Sequence, residues 1–397
     1  MRLSIMPNGL LYFAVTTAIA VIVSIPLLGQ FDRSTRLSTI HRLFSLRHSI
    51  VSSLTGRSNE LSSDAKSLVE IFSLYHPKLD LSDHPTPKEI ELLRHHSRLM
   101  FHGLLPKKPS ACRIEQQIFH VNGRPVRMYF IHHERIENWR ISPRPLVLYF
   151  HGGGFVFGGE DTYFGFECHL SNDLNMMILH VDFGLAPEQP LHQTMQDLIG
   201  VYQILQQTDP SIHRRLIGMG DSSGGMLWIY LLQWLVAHKQ PVPRAVVLHS
   251  PWTSLDLTSI EVFIDTDEYM SAEMVFNVRQ LIIGTKKGWA YLSDEERNTM
   301  SPKEDAFEGF PPLYITAGTQ DAFFNEIHLM TKRIHRAGGN VMLDVSDGSI
   351  HSFALFHLWS SEARHVQKNA REWINEQLLR PLESLWNELD SSPQNCT

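Results

Sequence analysis

The hydrophobic and polar positions of this chain change period several times, and each change marks an element. Across residues 10–28 no charge appears, and about nineteen residues at about 1.5 Å each give a helix of nearly 30 Å, the thickness of a bilayer's hydrocarbon core. A secretory leader would carry a shorter apolar run and a small-x-small cleavage site, and Ser24-Ile25-Pro26-Leu27-Leu28 is a poor one. An uncleaved membrane anchor is therefore favoured over a cleaved leader or a buried core helix. Next, Leu37, Ile40, Leu43, Phe44, Ile50, Val51 and Leu54 recur at three- and four-residue steps among Arg33, Arg36, Arg42 and Arg47. This predicts a basic amphipathic helix within residues 31–56, lying on a membrane surface or packed as a lid on the domain that follows. Thr86-Pro87-Lys88-Glu89 is a capping box with proline at the first helical position, which opens a helix to about Gly103.

From residue 117 the period becomes two. Alternating positions up to residue 132 flank Asn122-Gly123, the turn signal of a hairpin. Short apolar runs follow at residues 145–150, 176–183, 216–219, 245–249, 313–318 and 341–345, with helical patterns at 191–206, 226–237 and 325–337. Buried strands alternating with helices predict an α/β fold, a mostly parallel sheet with helices on both faces. Residues 255–304 interrupt that rhythm and read as an insertion. Its Met270, Met274, Phe276, Trp289 and Tyr291 either line an apolar pocket or pack on the surface. The chain divides into an anchor (1–30), a basic segment with cap helices (31–114), the α/β domain (115–380) and a tail (381–397).

Composition narrows the partners. With 397 residues and 43% hydrophobic content, one large domain with added segments accounts for the length. A net charge of −7 recommends no nucleic acid. Three cysteines, Cys112, Cys168 and Cys396, do not make a disulfide framework, although one Cys112–Cys168 bridge stays open. The 22 histidines include pairs such as His95-His96 and His132-His133, which lack metal-ligand spacing, so no metal site is expected.

The candidate chemistry gathers at Gly220-Asp221-Ser222-Ser223-Gly224-Gly225, between an apolar strand and an apolar helix. A serine on so sharp a turn is a nucleophile elbow, with Gly220 and Gly224 relieving the crowding and the helix N-terminus facing any oxyanion beside Ser222. Upstream, His151-Gly152-Gly153-Gly154-Phe155 directly follows a strand, and a glycine run there leaves backbone N–H groups uncovered. Asp321 stands just after the strand at 313–318, and His351 in a loop after the last strand. The order Ser222, Asp321, His351 is that of an α/β-hydrolase triad.

These motifs, with Asp182-Phe183-Gly184-Leu185-Ala186-Pro187-Glu188 between them, resemble the hormone-sensitive-lipase-like branch of the α/β-hydrolases over about residues 115–380. The resemblance implies an α/β-hydrolase fold with a helical cap. It also implies a serine carboxylic-ester hydrolase with Ser222 as nucleophile, His351 as base and Asp321 as orienting acid. Gly153, Gly154 and Ser223 would supply the oxyanion hole, with His151, Gly152, Gly220, Asp221 and Gly224 in support and no cofactor. Glu188 and Asp197 read as structural, fixing the loop that faces the pocket. Gly184 departs from the family's usual arginine and Ser352 from its usual glycine. An amidase of arylacetamide-deacetylase type and a non-catalytic ligand-binding protein on the same scaffold remain alternatives. The anchor, together with the bulky Phe155 and Phe323, points to hydrophobic short-acyl esters such as acetylated sterols.

A single-pass protein of the endoplasmic reticulum is the location implied by anchored relatives, such as arylacetamide deacetylases and fungal steryl acetyl hydrolases. Those relatives hold the domain in the lumen. The arginines after the span, which outnumber Arg2 before it, place the domain in the cytoplasm instead. The lone glycosylation match, Asn395-Cys396-Thr397 at the extreme C-terminus, agrees with the second placement, and the side stays open. Nothing in the sequence bears on oligomeric state.

Overall fold

The computed structural model describes residues 33–55, 61–75, 85–101, 104–136, 143–257, 270, 272–283 and 289–380. The segment expected to be an anchor (1–30) and the tail (381–397) lie outside the described residues, as do most of residues 258–271. Among the described residues no helix is long and apolar enough to cross a membrane.

The apolar runs assemble into one eight-stranded sheet. Its strands are β1 (Cys112–Val121), β2 (Arg124–His133), β3 (Leu146–Phe150), β4 (Met177–Asp182), β5 (Leu216–Asp221), β6 (Ala245–His249), β7 (Leu313–Gly318) and β8 (Val341–Ser346), in the order β1-β2-β4-β3-β5-β6-β7-β8. The first two form the expected hairpin, with Val121 opposite Arg124 and positive φ at both Asn122 and Gly123, as a type I′ turn requires. β2 runs antiparallel to β4, and every later pairing is parallel.

Helices α1 (Arg33–Thr55), α2 (Ser63–Tyr75), α3 (Pro87–Phe101), α4 (Glu160–Leu174), α5 (Leu191–Thr208), α6 (Ser223–Ala237), α7 (Ala272–Ile283), α8 (Asp294–Met300), α9 (Phe324–Arg336) and α10 (Ser361–Leu379) surround it. Side chains of a strand alternate between faces, and β3 shows both cores that result. Leu146, Leu148 and Phe150 join a cluster with α5, α6 and α9, while Val147 and Tyr149 join one with α2, α4 and α10. Neither α4 nor α10 was among the expected elements. The buried face of α4, Tyr163, Phe166, Glu167, Leu170, Ser171 and Leu174, recurs at three- and four-residue steps but includes the polar Glu167 and Ser171, so it does not read as an apolar stripe.

α1 forms within the expected segment but without a marked apolar face, and it packs on the domain: Leu37 and His41 are buried, and the His41 ring lies 5.4 Å from that of Trp359. Ser67 Oγ of α2 donates to His41 O at 3.0 Å, and the Ser62 amide donates to Gly348 O at 2.9 Å, which ties this pair of helices to the loop that carries His351. α3 opens on the expected capping box, with reciprocal bonds between Thr86 and Glu89. Cys112 at the start of β1 and Cys168 of α4 form a disulfide, which closes the question the sequence left open.

Candidate active site

β5 ends at Asp221 and α6 begins at Ser223, so Ser222 occupies the turn itself, at φ 50° and ψ −119°. A non-glycine residue held there is strained, and the surroundings fix it: the Ser222 amide donates to His249 O at 2.9 Å, and the Trp252 amide donates to Ser222 O at 2.9 Å. Gly224 cannot be larger, because a Cβ would stand 1.9 Å from Phe150 O. α6 therefore approaches β3 closely at its first turn.

β7 and β8 deliver the other two groups. Asp321 follows β7, His351 follows β8, and both are buried. His351 Nε2 lies 2.9 Å from Ser222 Oγ, and His351 Nδ1 lies 3.0 Å from Asp321 Oδ1. Because a carboxylate only accepts, the proton sits on Nδ1, which leaves Nε2 as the acceptor for the Ser222 hydroxyl. Glu326, the nearest other acid in sequence, accepts instead from Thr253 Oγ1 at 3.2 Å.

The glycine run lies against this group. Gly153, at φ 110°, turns the chain so tightly that a Cβ would meet Phe157 O at 2.3 Å. Gly152 to Gly154 line the same cavity as Ser222 and His351, a space of about 110 Å³. Beneath the run, Asp221 Oδ1 accepts from the Gly152 amide at 3.0 Å and from Tyr149 OH at 2.7 Å, and Oδ2 accepts from Tyr163 OH at 2.9 Å. Burial pushes the Asp221 carboxyl up to about 6, against the pull of those three donors. His151 stacks on Phe183 at 4.2 Å, and burial lowers it to about 3, so it is neutral and its Nδ1–H donates to Gly152 O at 2.7 Å. Next to it His180 pairs with Glu167 at 2.6 Å with both side chains fully buried. Burial acts to lower His180, but the Glu167 carboxylate outweighs it and raises the imidazole above its ordinary value.

The cavity walls are largely apolar. α3 contributes Leu93 and Phe101, α7 contributes Met274, Val275 and Val278, and Met270 stands before α7. Trp252 and Phe323, their rings stacked at 5.4 Å, form the wall beside His351. Phe155, grouped with Phe323 in the sequence reading, lies behind Trp252 with ring centroids 6.0 Å apart and is not on the wall. Phe276 and Trp289 carry the guanidinium groups of Arg279 and Arg297, and Tyr291 is exposed; none of the three lines the cavity. Among the described residues no group of three or more His, Cys, Asp or Glu side chains is arranged to hold a metal ion.

Sequence reasoning brought Ser222, Asp321, His351 and the glycine run to one place but missed Tyr149, Tyr163, Trp252 and Arg94. Tyrosines in or beside buried elements were the available signal, since a buried hydroxyl needs a partner. Glu188 finds Arg94 of α3 in a two-pronged pair at 2.7 and 2.8 Å. Asp197 pairs with Arg124 and accepts from Gln189 Nε2 at 2.9 Å. The Gln189 side chain fills the space at Gly184, where a Cβ would meet its Oε1 at 2.2 Å.

The sheet thus brings the turn at Ser222, the glycine run and the Asp321–His351 pair together around one apolar cavity. The family model described as alpha/beta hydrolase fold matches residues 147–355, and the chain belongs to that family. It is 26% identical over 276 residues to an esterase of Acinetobacter venetianus, covering 68% of this chain and 88% of the relative. It is 24% identical over 294 residues to an acetyl-hydrolase of Streptomyces hygroscopicus, covering 70% and 93%. A solved esterase of the bacterial hormone-sensitive lipase family superposes with a TM-score of 0.65 at 24% identity, covering 80% of this chain and 99% of that one. The Pyrobaculum calidifontis esterase gives 0.64 at 20%, covering 78% and 99%. The protein is a carboxylic ester hydrolase.

Proposed function

We propose that the protein hydrolyses hydrophobic esters with a short acyl group, lipophilic acetyl esters including sterol acetates, through the triad Ser222–His351–Asp321. The observation that carries this is the 2.9 Å approach of His351 Nε2 to Ser222 Oγ inside an apolar cavity. His351 takes the hydroxyl proton as Ser222 attacks the carbonyl, Asp321 orients the resulting imidazolium, and the amides of Gly153, Gly154 and Ser223 receive the oxyanion. The alcohol leaves with the proton from His351, and water repeats the attack on the acyl-enzyme.

Support for the short acyl limit comes from the Trp252 and Phe323 rings beside His351 and from the acetyl-hydrolase among the relatives. The hydrophobic preference rests on the apolar walls and on the span at residues 10–28, which would hold the enzyme where such esters partition. The Cys112–Cys168 disulfide favours an oxidising compartment and hence the lumenal side of that membrane.

Turnover of one lipophilic alcohol esterified with acyl groups of graded length, a sterol acetate and a matched acetanilide tests this reading. Acetyl esters are expected to exceed octanoyl esters in kcat/KM by about tenfold or more, an acyl-pocket discrimination of a few kcal/mol or less. A preference for octanoyl esters, or for the acetanilide, would overturn it.

A further inference from the structure

Helix α3, expected from the sequence to belong to a cap, does more than line the cavity. Arg94 stands on α3 between residues that line the wall, Leu93 on one side and Ser97 and Phe101 on the other, yet its own side chain reaches down to the loops beneath. Its Nε–H donates to Val156 O at 2.8 Å, and its terminal amino groups donate to Ala186 O at 2.8 Å and to both oxygens of Glu188. Val156 belongs to the turn that shapes the glycine run, since the amides of Val156 and Phe157 both donate to Gly153 O, at 3.1 and 2.8 Å. The same turn is bonded to the 182–188 stretch through the Ala186 amide and Phe155 O at 2.8 Å. A single guanidinium thus bonds a carbonyl on each of these two stretches and binds them to the cap helix.

We infer that Arg94 is a positioning residue for the oxyanion hole, so that seating of the cap helix and alignment of the Gly153 and Gly154 amides are one event. A planar fork with five donors suits this role, because it can satisfy two backbone carbonyls and a carboxylate at once, which an ammonium on a flexible stem does not. Glu188 takes its cation from α3, while Gly184 in the same stretch packs against the neutral Gln189 side chain. Contact of a substrate with Leu93 or Phe101 is thereby relayed to the groups that stabilise the transition state. The inference rests on the triad reading above.

The test compares Arg94→Ala, Arg94→Lys and Glu188→Gln on two acetyl esters that share the acyl group, one small and soluble, one bulky and hydrophobic. The small ester makes little contact with the cap, so a loss of kcat on it reports the oxyanion hole. Arg94→Ala is expected to lower kcat on both esters by a similar factor, about 10- to 100-fold, and to raise KM for the bulky ester alone. Arg94→Lys, which keeps the charge and stem, lowers kcat on both to a lesser degree and gives the same readout if the alanine variant does not fold. Glu188→Gln, which leaves the bonds to Val156 and Ala186, stays within about twofold of the parent. Wild-type kcat on the small ester in the Arg94 variants would reduce Arg94 to a fastener of the cap and overturn the inference. Equal losses in Glu188→Gln would overturn it as well, by placing the effect in the ion pair. Ser222→Ala runs alongside: if it retains activity the triad reading fails, whereas an inactive Ser222→Ala beside fully active Arg94 variants fails the inference alone.

Discussion

The carboxylate of Asp321 is held toward His351 by its own loop: Oδ1 lies 3.0 Å from His351 Nδ1 and also accepts the amide of Phe323 at 2.9 Å. The loop amide therefore fixes the acid before the imidazole leans on it. Asp321→Asn is expected to lower kcat by about 10⁴, because an amide at this position favours the wrong imidazole tautomer. Glu326→Gln should remain near the parent, since Glu326 faces Thr253. A larger loss in Glu326→Gln than in Asp321→Asn, measured on one acetyl ester, would reassign the acid.

Asp221 works from below. It accepts from Gly152, Tyr149 and Tyr163, and so ties the residue before Ser222 to the first glycine of the run at 152–154. Asp221→Asn is expected to reduce kcat about tenfold or more with KM little changed, as a displaced loop weakens only the transition state. Tyr163→Phe, which removes one of the three bonds, should give a smaller change in the same direction. A rise in KM at unchanged kcat would contradict this assignment.

His249 gives a pH test of stability. Buried beneath the elbow with Nδ1 3.0 Å from Thr316 Oγ1, it is lowered to about 4 by burial. The unfolded chain, with an ordinary imidazole, binds a proton between pH 6.5 and 4 that the folded protein refuses. Stability from this group is therefore present above pH 6.5 and lost as pH falls toward 4, by up to about 3 kcal/mol. His249→Asn should flatten the slope of unfolding free energy across that window. An unchanged slope in urea melts at pH 4.5, 5.5 and 6.5 would contradict it.

The disulfide joins the edge strand β1 to α4 across a sequence separation of 56 residues. Cys112→Ser with Cys168→Ser is expected to lower stability by about 2–4 kcal/mol through loss of loop closure in the unfolded chain. Urea denaturation measures the difference, and alkylation before and after reduction should reveal two additional thiols in the parent only after reduction.

Periodicity carried the sheet, because parallel strands buried on both faces are short continuous apolar runs bounded by turns, and each of β3 to β7 is one, while β8 is a half-exposed edge strand. The same logic failed for α4, because its buried face, Tyr163, Phe166, Glu167, Leu170, Ser171 and Leu174, includes two polar residues that break the apolar pattern. At the site, Ser222, Asp321 and His351 were legible because their types and their places at strand ends agree. Arg94, Tyr149 and Tyr163 were not, since a hydrogen bond spanning 72 residues from Tyr149 to Asp221, or 62 from Arg94 to Val156, leaves no local pattern. Phe155 was misplaced for a related reason: adjacency to the glycine run fixed its neighbourhood but not the side of Trp252 on which its ring packs.

The central claim is that Ser222 is the nucleophile, and a fluorophosphonate tests it most directly, since it reacts with a serine only when a base and an oxyanion hole act on it together. Peptide mapping of the labelled protein should place a single adduct on Ser222, and Ser222→Ala should show neither adduct nor ester turnover. Labelling that persists in Ser222→Ala, or an adduct on another serine, would contradict the account.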